Sequence, residues 1–173
     1  DVVLRSIGGT VLRAAAIEKG LIAAAPFSTE DAVRLIRAGY SVISNMNESL
    51  GIPQNIIVTR NEVLDKFPDT SKRVLKAYIQ GMQLAKFNKR EALKAGFDAG
   101  LQGDPEIVSA AWDLYSPGLT GDLSIAVPGI QQMLDEDIRT GLVDKSFTVD
   151  RVINDRILKL AQQELRAEGK LRQ

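Results

Sequence analysis

Two short stretches hold the residue types whose spacing could do chemistry. The first is "SIGGTV" (Ser6–Val11), with Gly8, Gly9 and Thr10 at its centre. A glycine pair lets the backbone approach a ligand closely, and a helix starting at Thr10 would offer free N–H groups and its positive dipole end to an anionic or polar group. It is not a dinucleotide fingerprint, because G-x-G-x-x-G is absent, and not a phosphate loop, because no Gly-Lys-Ser/Thr follows. The second stretch is "APFST" (Ala25–Thr29). There Pro26 and Phe27 could line a ligand and the hydroxyls of Ser28 and Thr29 could bind it. Each stretch has a plainer reading: a tight turn needing glycine at positive φ with Thr10 as cap, and a helix cap at Ser28 preceded by an apolar residue. Taken singly, each stretch fits the plainer reading better. A third segment, Asn45-Met46-Asn47-Glu48-Ser49, offers amides and a carboxylate, or is an ordinary polar loop.

Composition narrows the chemistry. Cysteine and histidine are both absent, which removes disulfides, thiolate metal sites and the commonest general base. No spacing suggests lysine or carboxylate catalysis, so the chain reads as a binder without cofactor or metal. The 22 basic and 22 acidic side chains cancel, which argues against broad electrostatic binding to nucleic acid or to an anionic membrane. Hydrophobic residues at 45% and charged residues at 25% are globular values. No apolar run approaches the ~20 residues of a membrane span.

The elements that must position the two turns alternate in kind. Val2–Ile7, Leu21–Ala25, Tyr40–Ile43 and Asn55–Thr59 have strand length and composition. Between the first three lie helical patterns over Thr10–Lys19 and Glu30–Ala38, with Gly20 and Gly39 as stops. This order predicts a small, largely parallel sheet with covering helices, and both turns at the carboxyl ends of its strands, where open sheets bind ligands. After Arg60 the pattern is helical throughout. Helices are predicted over Asn61–Lys66, Thr70–Phe87, Lys89–Phe97, Asp104–Leu114, Pro128–Thr140 and Thr148–Glu168, with a Gly/Pro-rich loop at Ser116–Asp122. Trp112 and Tyr115 share a helix with Val108 and Ala111 and read as core. Arg166, Lys170 and Arg172 read as a solvated end rather than a nucleic-acid arm. The division expected is therefore 1–60 and 61–173.

Several stretches in order resemble one family: "LRSIGGTVLRAAAIEKGLIAAAPFS", then "AGYSVI", then "GIPQNIIVTRNEVLDKFPDTSKRVLKAYIQGMQLAK". The order of glycine turn, helix, small-apolar run, proline, helix, GIP loop, run ending in Thr-Arg and helix after Phe-Pro-Asp is similar to the solute-binding proteins of nitrate/sulfonate/taurine-type ABC importers. Relatives binding pyrimidine precursors of thiamine belong to the same group. The resemblance covers nearly the whole chain, most firmly Leu4 to Lys86.

The resemblance implies an α/β fold of the type II periplasmic-binding-protein kind, here in part only. One small parallel α/β lobe (1–60, incomplete, with a crossing strand) would be followed by helices of the other lobe and hinge (61–173). The chain opening directly on Asp1 and a strand-like run fits a piece of a longer protein. By the same resemblance Gly8, Gly9, Thr10, Pro26, Phe27 and Ser28 would form one wall of the ligand site. The implied function is capture of a small anionic or polar solute and its delivery to the permease subunits of a membrane importer, in the periplasm or lipid-anchored outside the cell. No catalysis is implied. The uncovered apolar faces of a partial fold would favour self-association. Rival readings are a ligand-sensing domain, or a biosynthetic enzyme domain on the same two-lobed fold. The pyrimidine-forming relatives depend on His and Cys, which this chain lacks.

Overall fold

The computed structural model describes residues 2–45, 51, 53 and 55–172. Among them the chain is helical. Helix makes up 59% and no residue pairs into a sheet. In chain order the helices are α1 (Thr10–Glu18), α2 (Thr29–Arg37), α3 (Asn61–Lys66), α4 (Pro68–Phe87), α5 (Lys89–Asp98), α6 (Pro105–Tyr115), α7 (Val127–Arg139), α8 (Val149–Val152) and α9 (Arg156–Ala167), with a 3-10 turn at Ser116–Gly118.

The expected parallel α/β lobe is therefore overturned. Val2–Ile7, Leu21–Ala25, Tyr40–Ile43 and Asn55–Thr59 form no ladder. A parallel strand has no local partner, and such a sheet is stable only when three or more strands pair and both faces are covered. Here the cover is spent elsewhere. The apolar face of α2 that would lie on a sheet packs on α6 instead, with Val33 buried against Ile107 and Ala111. Most side chains of the four runs are left in water: Leu4 is 92% exposed and Ile43 84%, while Ile7, Ile22, Ala25 and Tyr40 are half-buried.

The chain divides into two compact units. One comprises Asp1–Ile43 and Gln102–Tyr115, the other Ser44–Leu101 and Ser116–Gln173. The first unit is built on the α2–α6 pair. α6 starts where its sequence signals place it: the Asp104 Oδ1 accepts from the backbone N–H of Glu106 (2.8 Å) and of Ile107 (3.2 Å), and Pro105 and Glu106 fill the first turn. Trp112 and Tyr115 are half-buried, while Val108 and Ala111 are buried as expected.

The second unit is organised by α4 and α9. Ile79, Ala161 and Leu165 are completely buried between them, with Leu158 beside them and Leu75, Leu123, Ile125 and Leu171 packed around. The predicted helix over Thr148–Glu168 is interrupted at Ile153-Asn154-Asp155, where Ile153 is extended (φ −103°, ψ 123°). The break lets the chain turn onto α3. Asn154 Nδ2 donates to Asn61 Oδ1 (2.8 Å), and Arg156 pairs with Asp65.

Charged side chains clamp the same two helices. The ammonium of Lys72 lies 2.6 Å from Glu164 Oε1. That of Lys76 lies 3.1 Å from Glu164 Oε2 and 2.6 Å from Glu168 Oε1. Hydrogen bonds from Lys72 and then Lys76 hold the Glu164 carboxyl below its usual range. Lys170, then Lys76, bring Glu168 down to about 2. A carboxylate whose folded pKa is depressed stabilises the fold above its unfolded pKa and loses that contribution as pH falls through the folded value. The clamp is thus intact at neutral pH and weakens below about 4.5, the ordinary glutamate range, towards pH 2. Urea midpoints measured across that window should fall with pH. In Glu164→Gln with Glu168→Gln the fall should be smaller.

Candidate functional site

Both sequence-predicted turns lie in the first unit, and the structure brings them together through one side chain. Gly8 has φ +90°, a conformation that favours glycine, and a Cβ there would also meet Leu12 Cδ1 at 3.2 Å. Gly9 is the N-cap of α1 with ordinary angles (φ −70°, ψ 172°), and Thr10 is its first residue. The turn of the plainer reading therefore exists at Gly8, but its cap does not: no side chain caps α1, and no acidic residue stands in its first turn. Neither a side-chain cap nor a first-turn acid compensates the positive end of α1.

Pro26-Phe27-Ser28 leads into α2. Here the plainer reading holds. Ser28 is the N-cap, its Oγ accepts from the Asp31 N–H at 3.4 Å, and its hydroxyl donates to Asp31 Oδ2 at 2.7 Å. Glu30 and Asp31 fill the first turn, so this helix end is already supplied with negative charge. Phe27 is half-buried and Pro26 exposed. Ser28→Ala should cost about 1 kcal/mol of stability through the lost cap, readable as a lower urea midpoint.

The residue that joins the turns is Arg13, in the second turn of α1. Its Nη1 donates to the Pro26 carbonyl at 2.8 Å, and its Nη2 lies 3.5 Å from the Thr10 hydroxyl. Its Nε is the single buried side-chain polar atom without a partner among the described residues. No carboxylate pairs with the guanidinium among them either. A buried donor without an acceptor is costly and rare. Beside an uncapped helix start, it leaves positive charge and spare N–H groups concentrated at Gly9-Thr10. That arrangement can hold an anionic or strongly polar group; it contains no nucleophile and no acid–base pair.

Sequence reasoning missed Arg13. Its signal was present in "TVLRAAA": a lone basic residue one turn inside a helix whose neighbouring side is alanine-rich. In the third segment only Asn45 falls within the described residues; Met46, Asn47, Glu48 and Ser49 lie outside them. Compared with family models, with curated proteins and with solved structures, the chain matches none. No helix among the described residues is long and apolar enough to cross a membrane.

Proposed function

We propose that the chain is part of the solute-binding component of an importer, taking up a small anionic or polar solute for delivery to a membrane permease. The reading rests on the order of motifs from Leu4 to Lys86. The observation that supports it is Arg13, which links the Gly8-Gly9-Thr10 turn to the Pro26 carbonyl and carries an unpaired buried Nε. The binding group is the uncapped start of α1 together with that guanidinium. Pro26 and Phe27 border it, and Ser28 serves the fold rather than the ligand. The function is capture without chemistry. A sulfonate or nitrate oxygen suits such donors because each accepts more than one N–H, and charge-assisted hydrogen bonds are the stronger kind.

The test is a thermal-shift panel of taurine, nitrate and sulfate against the neutral solute glycerol. Raised melting temperature with an oxyanion but not with glycerol supports the reading, provided Arg13→Gln abolishes the rise. Equal response of Arg13→Gln and the parent chain contradicts it. At ligand concentrations a hundredfold above Kd the expected stabilisation is about 2.7 kcal/mol.

A further inference from the structure

The second unit contains a groove of about 420 Å³ that the proposed function does not use. It is lined by Lys86 and Phe87 at the end of α4, by the loop from Leu119 to Asp122, by Arg166 of α9, and by Leu171 and Arg172. Its size falls in the range of small-molecule sites, about 300–1,000 Å³. Its composition is uneven. Three cations, Lys86, Arg166 and Arg172, face one carboxylate, Asp122. Phe87, Leu119 and Leu171 supply apolar wall.

The walls are held by specific bonds. Gln83 Nε2 donates to the Gly121 carbonyl at 2.8 Å and to the Arg172 carbonyl at 3.3 Å, while Gln83 Oε1 accepts from the Arg172 N–H at 3.0 Å. One amide thus fastens the C-terminal segment to the loop. A Cβ at Gly121 would meet Gln83 Nε2 at 2.8 Å, so a side chain there would displace this amide. Lys86 Nζ donates to the Leu119 carbonyl at 2.6 Å and Gln162 Nε2 to that of Asp122 at 2.8 Å.

The negative charge present is already engaged. Asp122 accepts from the Ser124 hydroxyl at 2.7 Å and the Ser124 N–H at 2.9 Å, and lies 3.7 Å from Arg166 Nη2. Burial pushes its carboxyl up, and the bonds from Ser124 more than offset this, so that it sits below the usual carboxylate range. Asp122 is therefore ionised and committed. Lys86 and Arg172 have no carboxylate partner among the described residues. Two uncompensated cations beside an apolar wall match a molecule with one acidic group and an apolar body.

We propose that this groove binds a small organic acid, with its carboxylate against Arg172 and Lys86 and its apolar body against Phe87, Leu119 and Leu171. The site lies wholly within the second unit and does not depend on the solute reading of the first. Backbone amide NMR of the full chain at low salt, titrated with phenylacetate, tests it. The expected result is saturable shifts at Thr120, Gly121, Leu171 and Arg172, with at least tenfold weaker binding of the neutral phenylacetamide. Arg172→Gln, whose side chain makes no hydrogen bond or ion pair among the described residues, should weaken phenylacetate about tenfold through loss of a charge-assisted hydrogen bond. Arg166→Gln should weaken it in the same direction and serves as a second variant. Absence of saturable shifts up to millimolar probe overturns the proposal. So does phenylacetamide binding as tightly as phenylacetate, or unchanged affinity in both variants.

Discussion

Leu165→Ala lowers the unfolding free energy of the second unit by about 3 kcal/mol. Leu165 is 0% exposed and meets Ile79 and Ala161, also 0% exposed, where α9 crosses α4. Truncation removes the transfer free energy of three buried carbons and leaves a cavity that rigid helix backbones on both sides cannot close. The ion pairs of Lys72 and Lys76 with Glu164 and Glu168 do not make good the loss, because they are partly exposed and each such pair is weak. Urea unfolding followed by helical circular dichroism reads the change as a lower midpoint at unchanged slope. A loss below about 1 kcal/mol would mean that the α4–α9 contact is not the core of this unit.

The second large effect is association. Apolar runs lie open to water: Val2, Val3 and Leu4 are 89%, 76% and 92% exposed, and Ile56, Ile57 and Val58 are 66%, 53% and 77% exposed. Runs of this kind, which pair into no sheet among the described residues, invite contact with another chain. Size-exclusion chromatography with light scattering should therefore give a mass above that of one chain. Val3→Lys combined with Ile57→Lys should return it to the mass of one chain. A monodisperse single chain before substitution would show that these runs are covered intramolecularly in solution.

The contrast between the two halves of the chain explains what the sequence made legible. Helices announce themselves locally. Asp104-Pro105-Glu106 starts α6, Asn61–Lys66 is matched residue for residue, and α4 ends at Phe87 as its apolar period requires. Val2–Leu4 and Ile56–Val58 read as strands for an equally sound local reason, their β-branched composition. A strand, however, is completed only by a neighbour far along the chain or outside it, and no local pattern reports whether that neighbour is present. α2 settled the outcome in this fold, since its apolar face packed on α6. The break at Ile153–Asp155 was hidden for the same reason: it is set by contacts with Asn61 and Asp65, about 90 residues away.

The candidate site was legible in part. Gly8 at positive φ and the Ser28 cap follow from residue type alone. The missing cap on α1 and the bond from Arg13 to the Pro26 carbonyl do not, because both depend on how the segment between the helices returns. The sequence treated the two turns as equals, and the geometry separates them. The α2 start is closed by Ser28, Glu30 and Asp31, whereas the α1 start is open and flanked by an unpaired guanidinium donor.

The central claim is that the α1 start and Arg13 form one anion-binding group for a transported solute. Backbone amide NMR of the chain titrated with taurine, with isethionamide as the uncharged comparison, tests it most directly. The account predicts saturable shifts at Gly9, Thr10, Val11 and Phe27, little change at Asp31 in the self-capped α2 start, and loss of the response in Arg13→Gln. Shifts spread evenly over exposed lysines and arginines, or a response unchanged in Arg13→Gln, would contradict it.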